Sequence, residues 1–471
     1  MRCDRESAIL PFGAENLKWI WCNFKLSASA AAEKKRKFAE EKRMVFHAFS
    51  QCNYCKTNIL LRFQMGYFDI PFDICCPECG VHICGVQKIV DDHTLTINNA
   101  SIIEEDLDGL DYYADFSVEL PHAKTNRFES IESLMKTNFS PFMLTASLYE
   151  GDKYFELVKK MGEFLSFRTS CWSRLTPLYD LFFNGKIALT QEHFLKLSSR
   201  FVVKNDIDAL MALHQTTVLG MNTILPDGTL GKFIDASKQI STQSVLLKMD
   251  DLITSLGREE YFNSVSKRLV RIYDRWIVNF EKYIPATMLS LGNAVEKLDK
   301  DTFGIATTSF EDMIKFYADS YELILDYIDV AIGLNNIVVR GNHNTFPANT
   351  IRVNKKTPCV GSFEDYREIV KSSRLNLLVD NEPFSKAIPL NRKIRNAIAH
   401  FSYEFNAGTQ KITFSDKFKS NDNTVELYLI ELALLCYENI SILVYLDELL
   451  YTLRKIYYTK RGMFPNIKSP K

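Results

Sequence analysis

Apolar positions recur every three or four residues over most of the chain after about residue 126, which predicts helices. "YFNSVSKRLVRIYDRWIVNFEKYI" (261–284) shows the spacing clearly, and "PDG" at 226–228 marks a turn within this region. Ser309 followed by Asp312 is a capping-box start for a long helix, "SFEDMIKFYADSYELILDYIDVAIGL". A loop follows, then a short amphipathic helix near 391–405. Next, "NAGTQKITF" (406–414) reads as a hairpin or short strand. A last helix is expected over 424–457, capped by Asn423 with Glu426, and apolar almost all round, hence buried. Near the N-terminus residues 27–50 read as one helix with a basic run, Lys34-Lys35-Arg36-Lys37, on a solvated face. Residues 86–120 change character. "HTLTINNASIIEE" (93–105) alternates as strands do, and "EEDLDGLD" (104–111) is an acidic connector.

Between the first helix and these strands the cysteines cluster. Cys52-Asn-Tyr-Cys55 and Cys76-Pro-Glu-Cys79 form C-x2-C, twenty residues, C-x2-C. A two-residue gap lets both thiolates of a tight knuckle face one tetrahedral ion, and Gly80 gives the backbone room to turn behind the second pair. The expected unit is a structural zinc ribbon over about 51–85, with Cys75, Cys84 or His82 as alternative ligands. Four thiolates would close the coordination sphere and leave no place for a catalytic water. Its charges, Lys56 and Arg62 against Asp69, Asp73 and Glu78, favour a protein partner over nucleic acid.

The helix "NRKIRNAIAHFSYEF" (391–405) raises a chemical question. At about 100° per residue, Ile394, Ala397, Ile398 and Phe401 form an apolar stripe. Arg392, Arg395, Asn396, Ala399, His400 and Tyr403 fall on the other side. Imidazole can accept or donate a proton near neutrality, and a guanidinium fork matches phosphate oxygens. Arg395-Asn396-x-x-x-His400 matches R-x4-6-H with a polar residue after Arg, and "RNAIAH" resembles HEPN ribonucleases of abortive-infection and toxin systems. The likeness covers roughly the last 150 residues. It implies a C-terminal helical bundle that dimerises so that two motif helices face each other, and a shared cleft that cuts RNA without metal. His400 is then general base or acid, Arg395 the phosphate clamp, and Asn396 the group that orients them. In the preceding loop, Arg340, His343, Arg352, Lys355 and Lys356 either touch RNA or simply face water.

Composition narrows the class. The 471 residues carry a formal net charge of -1, so no global field drives nucleic-acid binding. With 46% hydrophobic and 24% charged residues the composition is that of a folded chain, and 19 glycines and 14 prolines are few enough to favour helices. Eleven cysteines without a secretory leader suit reduced, cytoplasmic thiols. No long uninterrupted apolar run predicts a membrane span, since "ELALLCYENISILVYL" is broken by Glu438 and Asn439. Phosphate-loop, dinucleotide, nucleophile-elbow and zinc-protease motifs are absent.

The expectation is a mainly α, multidomain protein: an N-terminal region with the zinc ribbon (1–120), a helical middle or sensor region (121–304) and a HEPN bundle (305–471). The domain order resembles defence ribonucleases, including a zinc-finger type activated by ring-shaped phage proteins. That likeness implies an RNA substrate, a homodimer or larger homo-oligomer, and a phage-protein trigger sensed by the ribbon or middle region. The rival reading is a non-catalytic HEPN adaptor.

Overall fold

The structure is a computed structural model that describes residues 45–64, 66–89, 94–131, 134, 147–198, 201–237, 248–347, 360–378, 381, 383–387, 392–415 and 424–466. The chain forms two compact units. One comprises Met1–Leu148, Asp299–Thr308 and Ala407–Thr409; the other comprises Tyr149–Leu298, Ser309–Asn406 and Gln410–Lys471. The helices on both sides of the expected 304/305 division therefore lie in the second unit.

The first unit is rich in β structure. Strands β1 (Val45–Cys52), β2 (Asn58–Gln64), β3 (Ile70–Cys75), β4 (His82–Gln87), β5 (Leu95–Asn98), β6 (Ala100–Ile102), β7 (Tyr112–Phe116), β8 (His122–Ala123) and β9 (Asn126–Arg127) are followed much later by β10 (Phe303–Gly304). One sheet has the order β6-β1-β2-β7-β9, a second β3-β4-β5, and β10 pairs with β8. Central strand β2, "NILLRFQ", is buried on both faces and reads as a nearly continuous apolar run for that reason. On one face Phe49, Leu60, Leu110, Tyr113 and Leu134 form a core. On the other, the Phe63 ring stacks on Phe116 at 4.7 Å and meets Phe72 at 5.2 Å. A buried ion pair, Arg62 Nη1 to Asp115 Oδ1 at 2.9 Å, bridges parallel neighbours β2 and β7. Residues 45–50, expected to end a helix, are instead strand β1, because pairing with β2 overrides their local spacing. The remainder of that expected helix, with Lys34-Lys35-Arg36-Lys37, lies outside the described residues.

The second unit is mainly helical. Its helices are α1 (Lys153–Phe167), α2 (Ser173–Phe183), α3 (Ile187–Leu197), α4 (Asp206–Met221), α5 (Thr229–Ser237), α6 (Met249–Leu256), α7 (Arg258–Val278), α8 (Ile284–Leu291), α9 (Phe310–Arg340), α10 (Phe363–Glu368), α11 (Lys371–Arg374), α12 (Arg392–Ala399) and α13 (Leu429–Lys460). The long helices α9 and α13 pack together at its centre. The expected cap holds at α9: the Ser309 hydroxyl accepts the Asp312 N–H at 3.2 Å. At the other end Gly341 takes φ 80° and closes the helix on the Ile337 carbonyl. Buried Asn439 of α13 donates to Ser320 Oγ of α9 at 2.9 Å, a polar pin in an apolar seam.

Antiparallel to α9 runs α7, and the two are laced at seven-residue intervals. Arg268 pairs with Asp326, Arg275 with Asp319, and Lys282, just past the end of α7, with Asp312. Seven residues are about two turns, so each rung recurs on the same side of both helices.

After α12 a three-stranded sheet forms from β11 (Tyr403–Asn406), β12 (Lys411–Ser415) and β13 (Thr424–Tyr428), so the expected hairpin is present. The last helix begins at Leu429 and not at 424, because residues 424–428 pair with β12. Asn423, its expected cap, lies outside the described residues, and the Glu431 carboxylate accepts the Tyr428 N–H at 2.9 Å instead. Among the described residues α13 alone is long and apolar enough to cross a membrane, and 78% of its most apolar stretch is buried in the fold.

Candidate metal centre and candidate catalytic helix

The two C-x2-C pairs sit on matching turns. In the β1–β2 turn the Lys56 N–H donates to the Cys52 carbonyl at 3.1 Å, and the Cys52 N–H to the Thr57 carbonyl at 2.9 Å. In the β3–β4 turn the Gly80 N–H donates to the Cys76 carbonyl at 2.9 Å, and the Cys76 N–H to the Val81 carbonyl at 2.8 Å. Each turn needs a left-handed residue one place after its second cysteine: Lys56 at φ 67° and Gly80 at φ 73°. Glycine was legible as that signal; lysine in the same role was not.

These turns bring Cys52, Cys55, Cys76 and Cys79 together with all four sulfurs within 4.8 Å of one another, a geometry that could hold a metal ion. Cys52 Sγ lies 3.7 Å from Cys79 Sγ, and Cys55 Sγ 3.5 Å from Cys76 Sγ. The Thr57 hydroxyl, 3.0 Å away, holds the Cys55 thiol down at about 6, whereas burial pushes Cys76 up to about 12. The alternative ligands stand apart from this group. His82 Nε2 is 3.8 Å from Cys75 Sγ and its Nδ1 is 2.9 Å from Asp73, while Cys84 Sγ faces Asn98.

The second candidate site is on α12. Ile394 and Ala397 are buried as expected, Arg395 and Asn396 are half-buried, and Ala399 and His400 are exposed. The helix is shorter than its apolar spacing suggested. The Ser402 N–H closes on the Ala397 carbonyl at 2.9 Å and the Phe401 N–H on that of Ile398 at 3.2 Å, a Schellman ending. Phe401 takes the left-handed position at φ 51° and is 81% exposed, so it is no part of the apolar stripe. Tyr403 has left the helix for β11, where its ring meets Phe310 at 5.4 Å.

Arg395 and Asn396 are brought together, with Arg395 Nη1 donating to Asn396 Oδ1 at 3.3 Å. The His400 N–H donates to the Asn396 carbonyl at 3.0 Å, which puts the imidazole one turn on, at the helix end. Sequence reasoning missed Glu322 of α9, whose carboxylate accepts from Arg395 Nε. One signal was present in the chain: Glu322, Asp326 and Asp329 are carboxylates at i, i+4 and i+7 within an otherwise apolar stretch of α9. Of the expected loop residues, Arg340 and His343 are among the described residues. Arg340 ends α9, bonded to Asn336 Oδ1 at 2.8 Å, and His343 is buried against Ser255 Oγ at 3.0 Å. Arg352, Lys355 and Lys356 lie outside the described residues.

A third group of ionisable side chains joins α4 to α13. His214 Nε2 is 2.7 Å from Glu448 Oε2 and its Nδ1 is 3.5 Å from Asp447 Oδ2, while the ring stacks on Tyr451 at 3.9 Å. Burial alone would push this imidazole down; the two carboxylates override it and hold it at about 9. No family model, curated protein or solved structure matches the chain.

Proposed function

We propose that this protein is a metal-independent endoribonuclease of the HEPN type, with Arg395, Asn396 and His400 as its working residues. The observation that carries the reading is their grouping along α12 and its C-terminal end, where Glu322 and Asn396 steady the guanidinium and His400 is exposed one turn beyond Asn396. RNA cleavage of this kind is an in-line attack of a ribose 2′-oxygen on the adjacent phosphorus, breaking the bond to the 5′-oxygen. His400 suits the proton transfers, and two copies facing each other would supply a base for the 2′-OH and an acid for the leaving oxygen. The Arg395 fork suits the charge that develops on phosphorus. Exposed Ala399 and Phe401 beside His400 offer a surface for the second copy.

The four-cysteine centre suits structural zinc. A tetrahedral ion with arms of about 2.3 Å separates its sulfurs by about 3.8 Å, close to the 3.7 and 3.5 Å found. Bound there, zinc would tie the two turns together and take no part in cleavage. The first unit and the helices preceding α9 would then act as sensor and brake, released by a phage-protein trigger in an abortive-infection response in the cytoplasm.

An RNA-cleavage assay decides the matter. Wild type should leave 2′,3′-cyclic phosphate ends, spare DNA and tolerate brief EDTA treatment. His400→Ala should lose about 10²–10⁴-fold in rate, and Arg395→Lys should rescue an Arg395→Ala loss poorly. Wild-type cleavage by both alanine variants would overturn the reading. A chain that dimerises but never cuts RNA, with or without candidate triggers, would be a HEPN adaptor.

A further inference from the structure

An open cavity of about 320 Å³ beside α7, α9 and α11 is lined by four cations, Arg268, Arg367, Lys371 and Arg374, and two carboxylates, Asp326 and Asp329. Two carboxylates cannot neutralise four cations. Asp326 is shared between Arg268 and Lys371. Asp329 accepts from Arg374 Nη1 at 3.1 Å and from the Tyr366 hydroxyl at 2.6 Å. Arg374 is buried and fixed further by the Ile369 and Arg367 carbonyls, at 3.2 and 2.6 Å. Arg367 is the least committed member, with its ion-pair distance to Asp329 at 3.9 Å and its guanidinium over the Phe363 ring at 5.1 Å. A stacked guanidinium keeps its planar fork of donors for an acceptor such as phosphate.

Placement gives the second observation. Asp326 and Asp329 lie four and seven positions beyond Glu322 on α9, so all three fall within about 60° of one another around the helix. They are about 6 and 10 Å along its axis from Glu322, the residue that holds Arg395. One stripe of carboxylates on α9 thus holds the candidate phosphate clamp of α12 at one end and faces the surplus of cations at the other. We infer that this cavity is a phosphate-binding subsite for the RNA strand, holding the backbone beside the bond to be cut. The inference rests on the ribonuclease reading. An open mouth and alignment with Arg395 suit a continuous polyanion whose neighbouring phosphates meet successive cations.

Binding can be measured apart from cleavage, using fluorescence anisotropy of a labelled single-stranded RNA with the full chain carrying His400→Ala. Adding Arg367→Ala or Lys371→Ala should weaken binding about tenfold each. The pair together should flatten the salt dependence by roughly 0.7 in log–log slope for each phosphate no longer neutralised. Lys371→Arg keeps the charge and should keep binding. Arg275→Ala removes a comparable cation outside the cavity and should change nothing. With His400 intact, the pair should raise KM more than it lowers kcat. If the pair binds RNA as tightly as its parent, with the same slope, the subsite is overturned, even where His400→Ala still abolishes cleavage and the nuclease reading stands. If RNA binding depends on Arg367 and Lys371 but wild type never cuts RNA, the subsite stands as an RNA-binding site and the nuclease reading falls.

Discussion

Phe401 sits where the Schellman ending of α12 calls for a left-handed residue, at φ 51°, with its ring 81% exposed. A bulky side chain there costs about 1–2 kcal/mol relative to an ordinary conformation, and glycine escapes that cost. Phe401→Gly should therefore stabilise the isolated chain by about 1 kcal/mol in chemical denaturation, because little burial is lost. If the exposed ring packs against a second copy beside His400, the same change should weaken self-association in sedimentation experiments. Unchanged self-association would remove Phe401 from the proposed dimer surface. At this scale the residue pattern was readable, since Arg395, Asn396 and His400 fall within six consecutive positions. Glu322 was not, because an ion pair across 73 positions leaves no local pattern beyond the carboxylates that interrupt an apolar helix.

Helices α4 and α13 meet through a buried charged group, and their docking should depend on pH. The unfolded His214 imidazole has an ordinary value near 6.5, and the folded one is held at about 9 by Asp447 and Glu448 against the effect of burial. A folded value above the unfolded one gives stabilisation fully present below about 6.5 and lost as pH rises through about 9. The difference in unfolding free energy between wild type and His214→Gln should then be about 3 kcal/mol near neutrality and shrink steadily toward about pH 10. A difference that stays flat over that range would mean the imidazole is neutral in the fold. Elements were legible where a cap or a long period announced them, as Ser309 and Asp312 did for α9. They were illegible where tertiary pairing decided. Residues 45–50 continue a helical spacing yet pair with β2, and residues 424–428 precede an apolar helix yet complete a sheet. The apolar run Ile394–Ala397–Ile398–Phe401 hid the end of α12 in the same way, because only the turn into β11 breaks it.

On the scale of the whole molecule, the four-cysteine group that could hold a metal ion lies in the first unit, while the second has its own core around α9 and α13. Purified protein should contain about one zinc per chain, lost in Cys52→Ser or Cys76→Ser. Chelation should speed hydrogen exchange in β1 to β4 and leave the amides of α9 and α13 protected. No zinc by elemental analysis, or full retention in both variants, would remove the assignment. The first unit is also discontinuous. β8 pairs with β10, the Lys124 ammonium donates to the Lys300 carbonyl 176 positions on, and the Asp73 N–H donates to Ala306 at 2.8 Å. On the ribosome these partners are not made together. At about 5–20 residues per second the edge at β8 waits roughly 10–35 s for the strand that covers it. Throughout that time a thiol-bearing β unit presents an open edge of the kind that templates pairing with other chains. A transcript cut short before residue 299 would yield a product that can never close it, one marked for chaperones and proteases from the start.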